Sequence, residues 1–168
     1  MKVGDIVQDF ELPDERGVTR SLADLLRRGP VVLFFYPAAF TPLCTVEACH
    51  FRDMAQEFVA LGAQPVGISA DLVERQAAFA QAHSLGFPLL ADPSGRVRAQ
   101  FGVRRGVGLA PTKRVTFVVD TDRRVIEVVR SEIRMNAHAD HALDALRRRQ
   151  ASARSRTWSW LRPPRPPV

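Results

Sequence analysis

Cys44 and Cys49, five residues apart, are the only two cysteines in the chain and the side chains best suited to covalent chemistry. A thiol pair can hold a metal, act as a redox couple or lie inert in the core, and the residues around it decide among these. Cys44 follows a turn bracketed by Pro37 and Pro42, and Phe51, Met54, Ala55, Phe58 and Val59 recur after it at helical spacing. That pattern puts Cys44 in the first turn of a helix closed by Gly62. Free N–H groups and partial positive charge at such a place favour thiolate over thiol, and the thiolate is the nucleophile.

On an intact helix, residues five apart are separated by ~500° of rotation and ~7.5 Å of rise, so their Cα atoms lie ~8–9 Å apart on different sides. A disulfide needs roughly 4.4–6.8 Å. The pair can therefore bridge only if the first turns of the helix unwind. Metal binding is not expected, because there is no third cysteine and His50 has no second ligand pair beside it. His138 and His141, three apart, could share a helix face, but are read as solvated or half-buried side chains. Gly102, Gly106 and Gly108 are not followed by the Gly-Lys-Ser/Thr of a phosphate loop. No cofactor is expected.

These side chains need a scaffold. Thr19 to Leu22 opens a short helix, with Ser21 and Asp24 spaced as a capping pair. Val31 to Tyr36 is a continuous apolar run, the pattern of a strand buried on both faces. Gln64 to Ala70 is a second strand. Asp71 caps a helix whose Leu72, Phe79 and Ala80 face inward, Leu89–Ala91 is a third strand, and Val97–Phe101 a helix. Gly102 to Pro111 reads as a loop. Arg114 to Val119 and Val125 to Arg130 form a hairpin through Asp120-Thr121-Asp122-Arg123, and His138 to Arg149 is a final helix buried by Ala142, Leu143 and Leu146. The order β-α-β-α-β-α-β-β-α predicts an α/β domain, a central mixed sheet flanked by helices in a thioredoxin-like arrangement, within a single domain over 1–150.

The net charge of +6 suggests a polyanion partner, but seven arginines fall in the last 22 residues, which hold no acid. The rest is near neutral, with 17 basic and 18 acidic residues. Residues 151–168, with prolines at 163, 164, 166 and 167, are expected to be a disordered or extended, solvated tail. Trp158, Trp160 and Leu161 offer the alternative of docking. No nucleic-acid partner is expected. No apolar run approaches the ~20 residues of a membrane span. The opening Met-Lys-Val-Gly-Asp, followed by Asp9 and Glu11, lacks the apolar core of a secretory signal, so a cytoplasmic address is expected.

The segment from Tyr36 to Asp53 carries Pro37, Thr41 and Cys44 in the register Pro-x-x-x-Thr-x-x-Cys, which resembles the active-site motif of peroxiredoxins. A second cysteine five residues on is similar to the peroxiredoxin Q, or bacterioferritin comigratory protein, branch. The likeness runs from Val3-Gly4-Asp5 and Phe10-Glu11-Leu12-Pro13 to about residue 147. It departs at Ala38, Ala39 and Phe40, where that branch more usually carries charged residues and where the chain is similar to one-cysteine peroxiredoxins.

The resemblance implies a thioredoxin-dependent peroxidase that reduces hydrogen peroxide and organic hydroperoxides. Cys44 would be the peroxidatic nucleophile and Cys49 the resolving thiol. Thr41 would hydrogen-bond thiolate and peroxide, Pro37 would shield the sulfur, Arg114 would supply a guanidinium and Glu47 would orient it. The physics agrees: O–O cleavage moves negative charge from sulfur to the leaving oxygen, and fixed donors aimed there stabilise the transition state. The implied partners are a hydroperoxide substrate and thioredoxin or a similar dithiol, with the protein a monomer or weak homodimer. With no cysteine beyond Cys49, resolution is expected within one chain. The rival readings are a thioredoxin-fold thiol-disulfide oxidoreductase, which would use Cys-x-x-Cys, and a noncatalytic binding module with inert cysteines.

Overall fold

The computed structural model describes residues 1–106 and 110–160. Glu11–Pro13 (β1) and Thr19–Ser21 (β2) pair antiparallel as a small separate sheet. The first helix thus starts later than its sequence suggests, at Leu22–Leu26 (α1). Ser21 is its N-cap, and the Ser21 Oγ accepts from the Asp24 N–H at 3.0 Å. The main elements follow: Val31–Phe35 (β3), Pro42–Asp53 (α2), Ala55–Ala60 (α3), Gln64–Ser69 (β4), Val73–Ala82 (α4), Leu89–Ala91 (β5), Arg96–Gln100 (α5), Val115–Val119 (β6), Val125–Arg130 (β7) and Met135–Trp160 (α6).

The main sheet runs β5-β4-β3-β6-β7, with β3, β4 and β5 parallel and β6 and β7 antiparallel to their neighbours. This is the mixed, thioredoxin-like sheet that the element order predicts. Every side chain of β3 is buried, as a central strand covered on both faces requires. Val31, Leu33 and Phe35 join α1 and α5 in one core layer, through Leu22, Leu25, Val97 and Phe101. Val32 and Phe34 join the other layer, with Phe51, Phe58, Phe79, Ala139 and Leu143. The stack of Phe34 on Phe51, with ring centroids 4.3 Å apart and planes 15° apart, fixes α2 on the sheet. Gly67 makes room for it: a Cβ there would lie 2.8 Å from Phe34 Cζ and 2.7 Å from Leu89 Cδ2.

Three further expectations change. The helix expected from Cys44 to Gly62 is two, broken at Met54, whose φ of −90° and ψ of 7° are not helical. Leu72, expected inside, is the exposed N-cap of α4. The final helix is longer than His138–Arg149, because alanine, glutamine, arginine and serine after Arg149 carry no helix breaker. Of the tail expected to be disordered or extended, residues 151–160 are in this helix; the proline-rich remainder, including Leu161, lies outside the described residues, as do the side chains of Trp158 and Trp160 and residues 107–109 of the expected loop. No helix among the described residues is long and apolar enough to cross a membrane.

Candidate active site

Cys44 is the third residue of α2 and 1 % exposed. The helix starts where it does because Thr41 is extended (φ −82°, ψ 148°) and Pro42, at the first helical position, has no N–H to lose. The turn before it contains Phe40 in a left-handed conformation, φ 65°, which costs energy for an aromatic residue. The end of β4 holds that turn from the other side. The Ala39 N–H donates to Asp71 Oδ2 at 2.7 Å, and Arg75 Nη2 donates to the Ala39 carbonyl at 2.9 Å. Arg75 also pairs with Asp71 at 3.0 Å and lies over the Phe40 ring, 5.5 Å from its centroid. Asp71 therefore anchors this turn instead of capping α4, a role with no signature in local sequence.

Arg114 precedes β6 rather than opening it, and its side chain is buried. Its Nη2 donates to Cys44 Sγ at 3.2 Å, and its Nη1 donates to Glu47 Oε2. The 12-residue α2 places Cys44 and Glu47 three apart, hence on one face, so a single guanidinium reaches both. Burial works against the charge of Arg114, but Glu47 and Cys44 more than offset it and raise its pKa. Burial also pushes the Glu47 carboxyl up to about 7, against the pull of Arg114.

Behind Glu47 stands His138, on α6 and fully buried, not solvated or half-buried as its sequence suggests. Its Nδ1 lies 2.8 Å from Thr116 Oγ1, its Nε2 2.9 Å from the Ser131 carbonyl oxygen, and Nδ1 is 3.7 Å from Glu47 Oε1. Burial lowers the pKa of this ring. Two buried atoms of the cluster, Glu47 Oε1 and Arg114 Nε, have no hydrogen-bond partner among the described residues. Sequence reasoning missed His138 and Thr116. The available signal was one hydroxyl residue in the apolar run Val115–Val119.

The other expected site residues lie on the same elements. The Thr41 hydroxyl donates to the Ala38 carbonyl oxygen at 3.0 Å, which leaves its lone pairs to accept from an incoming O–H. Pro37 is half-buried at the head of the turn. Cys49 is half-buried in the same unbroken helix as Cys44, and both thiols are free. Arg104 and Lys113 are exposed, whereas Arg105 pairs with Glu132. The arrangement offers a sulfur at a helix mouth, a guanidinium donating to it and a carboxylate fixing the guanidinium. Such a set can stabilise charge that leaves sulfur for an oxygen nearby.

The chain and its fold are similar to those of known proteins. Residues 3–128 match the AhpC/TSA family model. Peroxiredoxin Bcp of Escherichia coli is 37% identical over 152 residues, covering 88% of this chain and 96% of that protein. The crystal structure of peroxidoxin BcpB from Mycobacterium tuberculosis superposes with a TM-score of 0.85 at 60% identity, covering 88% of this chain and 97% of that one. The bacterioferritin comigratory protein of Xanthomonas campestris, whose structures address its alkyl peroxide reduction activity, superposes with a TM-score of 0.76 at 27% identity, over 83% of this chain and 91% of that one. With most of its length matched by the family model and by Bcp relatives, the chain belongs to the AhpC/TSA family as a peroxiredoxin of the Bcp, or peroxiredoxin Q, branch.

Proposed function

We propose that this peroxiredoxin, a thiol-dependent peroxidase, turns over through a Cys44 sulfenic acid and an intramolecular Cys44–Cys49 disulfide. The observation that carries the reading is the 3.2 Å contact of Arg114 Nη2 with Cys44 Sγ in the first turn of α2. The Cys44 thiolate attacks one peroxide oxygen, the O–O bond breaks, and the leaving oxygen takes up a proton as water or alcohol. Arg114 donates to the oxygens as charge passes to them, and Thr41 accepts from the peroxide O–H. Pro37 keeps water from the sulfur and Glu47 holds Arg114 in its plane. Cys49 then attacks the sulfenic sulfur, forming the disulfide and releasing water. Since both cysteines sit on one intact helix, α2 unwinds for this step.

An external dithiol returns both thiols, and thioredoxin or a similar protein is the reductant proposed. The alkyl peroxide reduction activity of the Xanthomonas relative supports organic hydroperoxides beside hydrogen peroxide as substrates. A disulfide that must be reduced in every cycle suits a reducing compartment, hence a cytoplasmic address. The near-neutral body argues against nucleic-acid or membrane partners, and a single chain carries every group used, so a monomer or weak homodimer suffices. Stopped-flow oxidation with hydrogen peroxide and an organic hydroperoxide tests the scheme. Cys44→Ser should abolish the reaction, and Cys49→Ser should keep the first step but lose recycling. Full peroxidase turnover by Cys44→Ser would end the proposal.

A further inference from the structure

Glu47 and His138 form a buried pair whose hydrogen bonding does not close as drawn. The Ser131 carbonyl can only accept, so the Nε2 facing it at 2.9 Å carries a hydrogen. If the ring is neutral, Nδ1 is then bare and accepts from the Thr116 hydroxyl at 2.8 Å. Glu47 Oε1 lies 3.7 Å from that nitrogen, whose lone pair is already taken, and this wholly buried oxygen has no donor among the described residues. A buried carboxylate oxygen without a donor is costly in a dry interior. One added proton removes the conflict, whether it rests on Oε1 or on Nδ1.

We infer that Glu47 and His138 hold one proton between them, and that its loss tightens the grip of Glu47 on Arg114 and weakens the arginine's action at Cys44. His138 is in this sense a positioning residue, acting through Glu47 and the guanidinium. Burial displaces the two groups in opposite directions, Glu47 up to about 7 and His138 downward. The charged and titratable groups facing the pair are Arg114 ahead of β6, Cys44 on α2, Glu132 after β7 and His141 on α6. Among these only Arg114 bonds Glu47 directly, and it also holds the sulfur, so the proton's charge is felt at the reacting atom. This reading rests on the peroxidase scheme for its kinetic consequence but not for the shared proton itself.

Two measurements on the full chain test it. In 15N-histidine NMR between pH 5.5 and 8.5, the His138 Nδ1 resonance should move, and the movement should be lost or displaced by more than one pH unit in Glu47→Gln. In single-turnover oxidation by hydrogen peroxide, the wild-type rate constant, referred to the thiolate fraction measured separately, should fall roughly three- to tenfold as the proton leaves. That fall should be absent in both Glu47→Gln and His138→Gln. A static Nδ1 resonance in the wild type, or the same fall in a folded His138→Gln, would overturn the inference. If His138→Gln does not fold, the spectra of the wild type and Glu47→Gln decide alone. Failure of Cys44 to oxidise at all would instead strike the peroxidase scheme and leave the spectra to answer for the proton.

Discussion

At the scale of single residues the molecule is organised around one guanidinium. Arg114→Lys keeps a positive charge but loses the planar fork that reaches Sγ and Glu47 together. Its rate constant for Cys44 oxidation should fall about 10²–10³-fold, the usual cost of one transition-state donor, in stopped-flow measurements. Glu47 makes a prediction about stability. Its carboxyl titrates at about 7 when folded, against an ordinary 4.5, so between these values the folded chain binds more protons than the unfolded one. Stability from this group is complete below the lower value and is lost as pH rises through the higher one. Glu47→Gln lacks that loss. Urea unfolding should show the variant gaining on the wild type, by on the order of 3 kcal/mol, from pH 4.5 to 7.5. His138, whose pKa is lowered by burial, slopes the opposite way below its ordinary 6.5. Cys44 was legible because its turn and helix are local in sequence. His138 was not, since its burial depends on α6 crossing the sheet against a residue 22 positions away.

At the scale of elements, the proposed resolution step makes α2 both scaffold and moving part. Formation of the Cys44–Cys49 disulfide should be accompanied by loss of amide-exchange protection over residues 44–50, while the Phe34–Phe51 stack stays protected. Non-reducing gels should show the oxidised chain running as a monomer. The contact of His50 Nε2 with Asp140 Oδ1 on α6, at 2.9 Å and partly exposed, ties α2 to α6 beside Cys49. Asp140→Asn should speed disulfide closure about two- to fivefold, in keeping with the ~0–1 kcal/mol of such pairs. The strong apolar runs of β3 and β6 announced these strands, and the apolar spacing announced helices at α2 and α4 but not their ends. The three-residue strands β1 and β2 did not, because strands so short carry no period and exist only by pairing with each other. The break at Met54 was equally hidden, since Phe51, Ala55 and Phe58 keep helical spacing straight across it.

At the scale of the whole molecule, the element order was enough to give the sheet, because parallel crossovers and one terminal hairpin leave few arrangements. The expected end of α6 was less secure, since arginine, alanine and glutamine are good helix formers whether or not they are buried. Arg147, Arg148 and Arg149 reach Glu57, Glu127 and Asp120, which fastens α6 across three other elements of the body before Gln150. We propose residues 1–150 as the working unit. Removal of residues 156–168 should leave Cys44 oxidation within twofold and shift Tm by no more than about 2 °C.

The interruption at Met54 has a bearing on endurance. The turn at Met54 gives α2 an end of its own, so a change that begins at Cys44 meets non-helical backbone before α3. Under the proposed scheme, repeated catalytic cycles rebuild the turns between Cys44 and Cys49 while Phe51, stacked on Phe34 and Phe58, keeps the rest of the helix pair on the sheet.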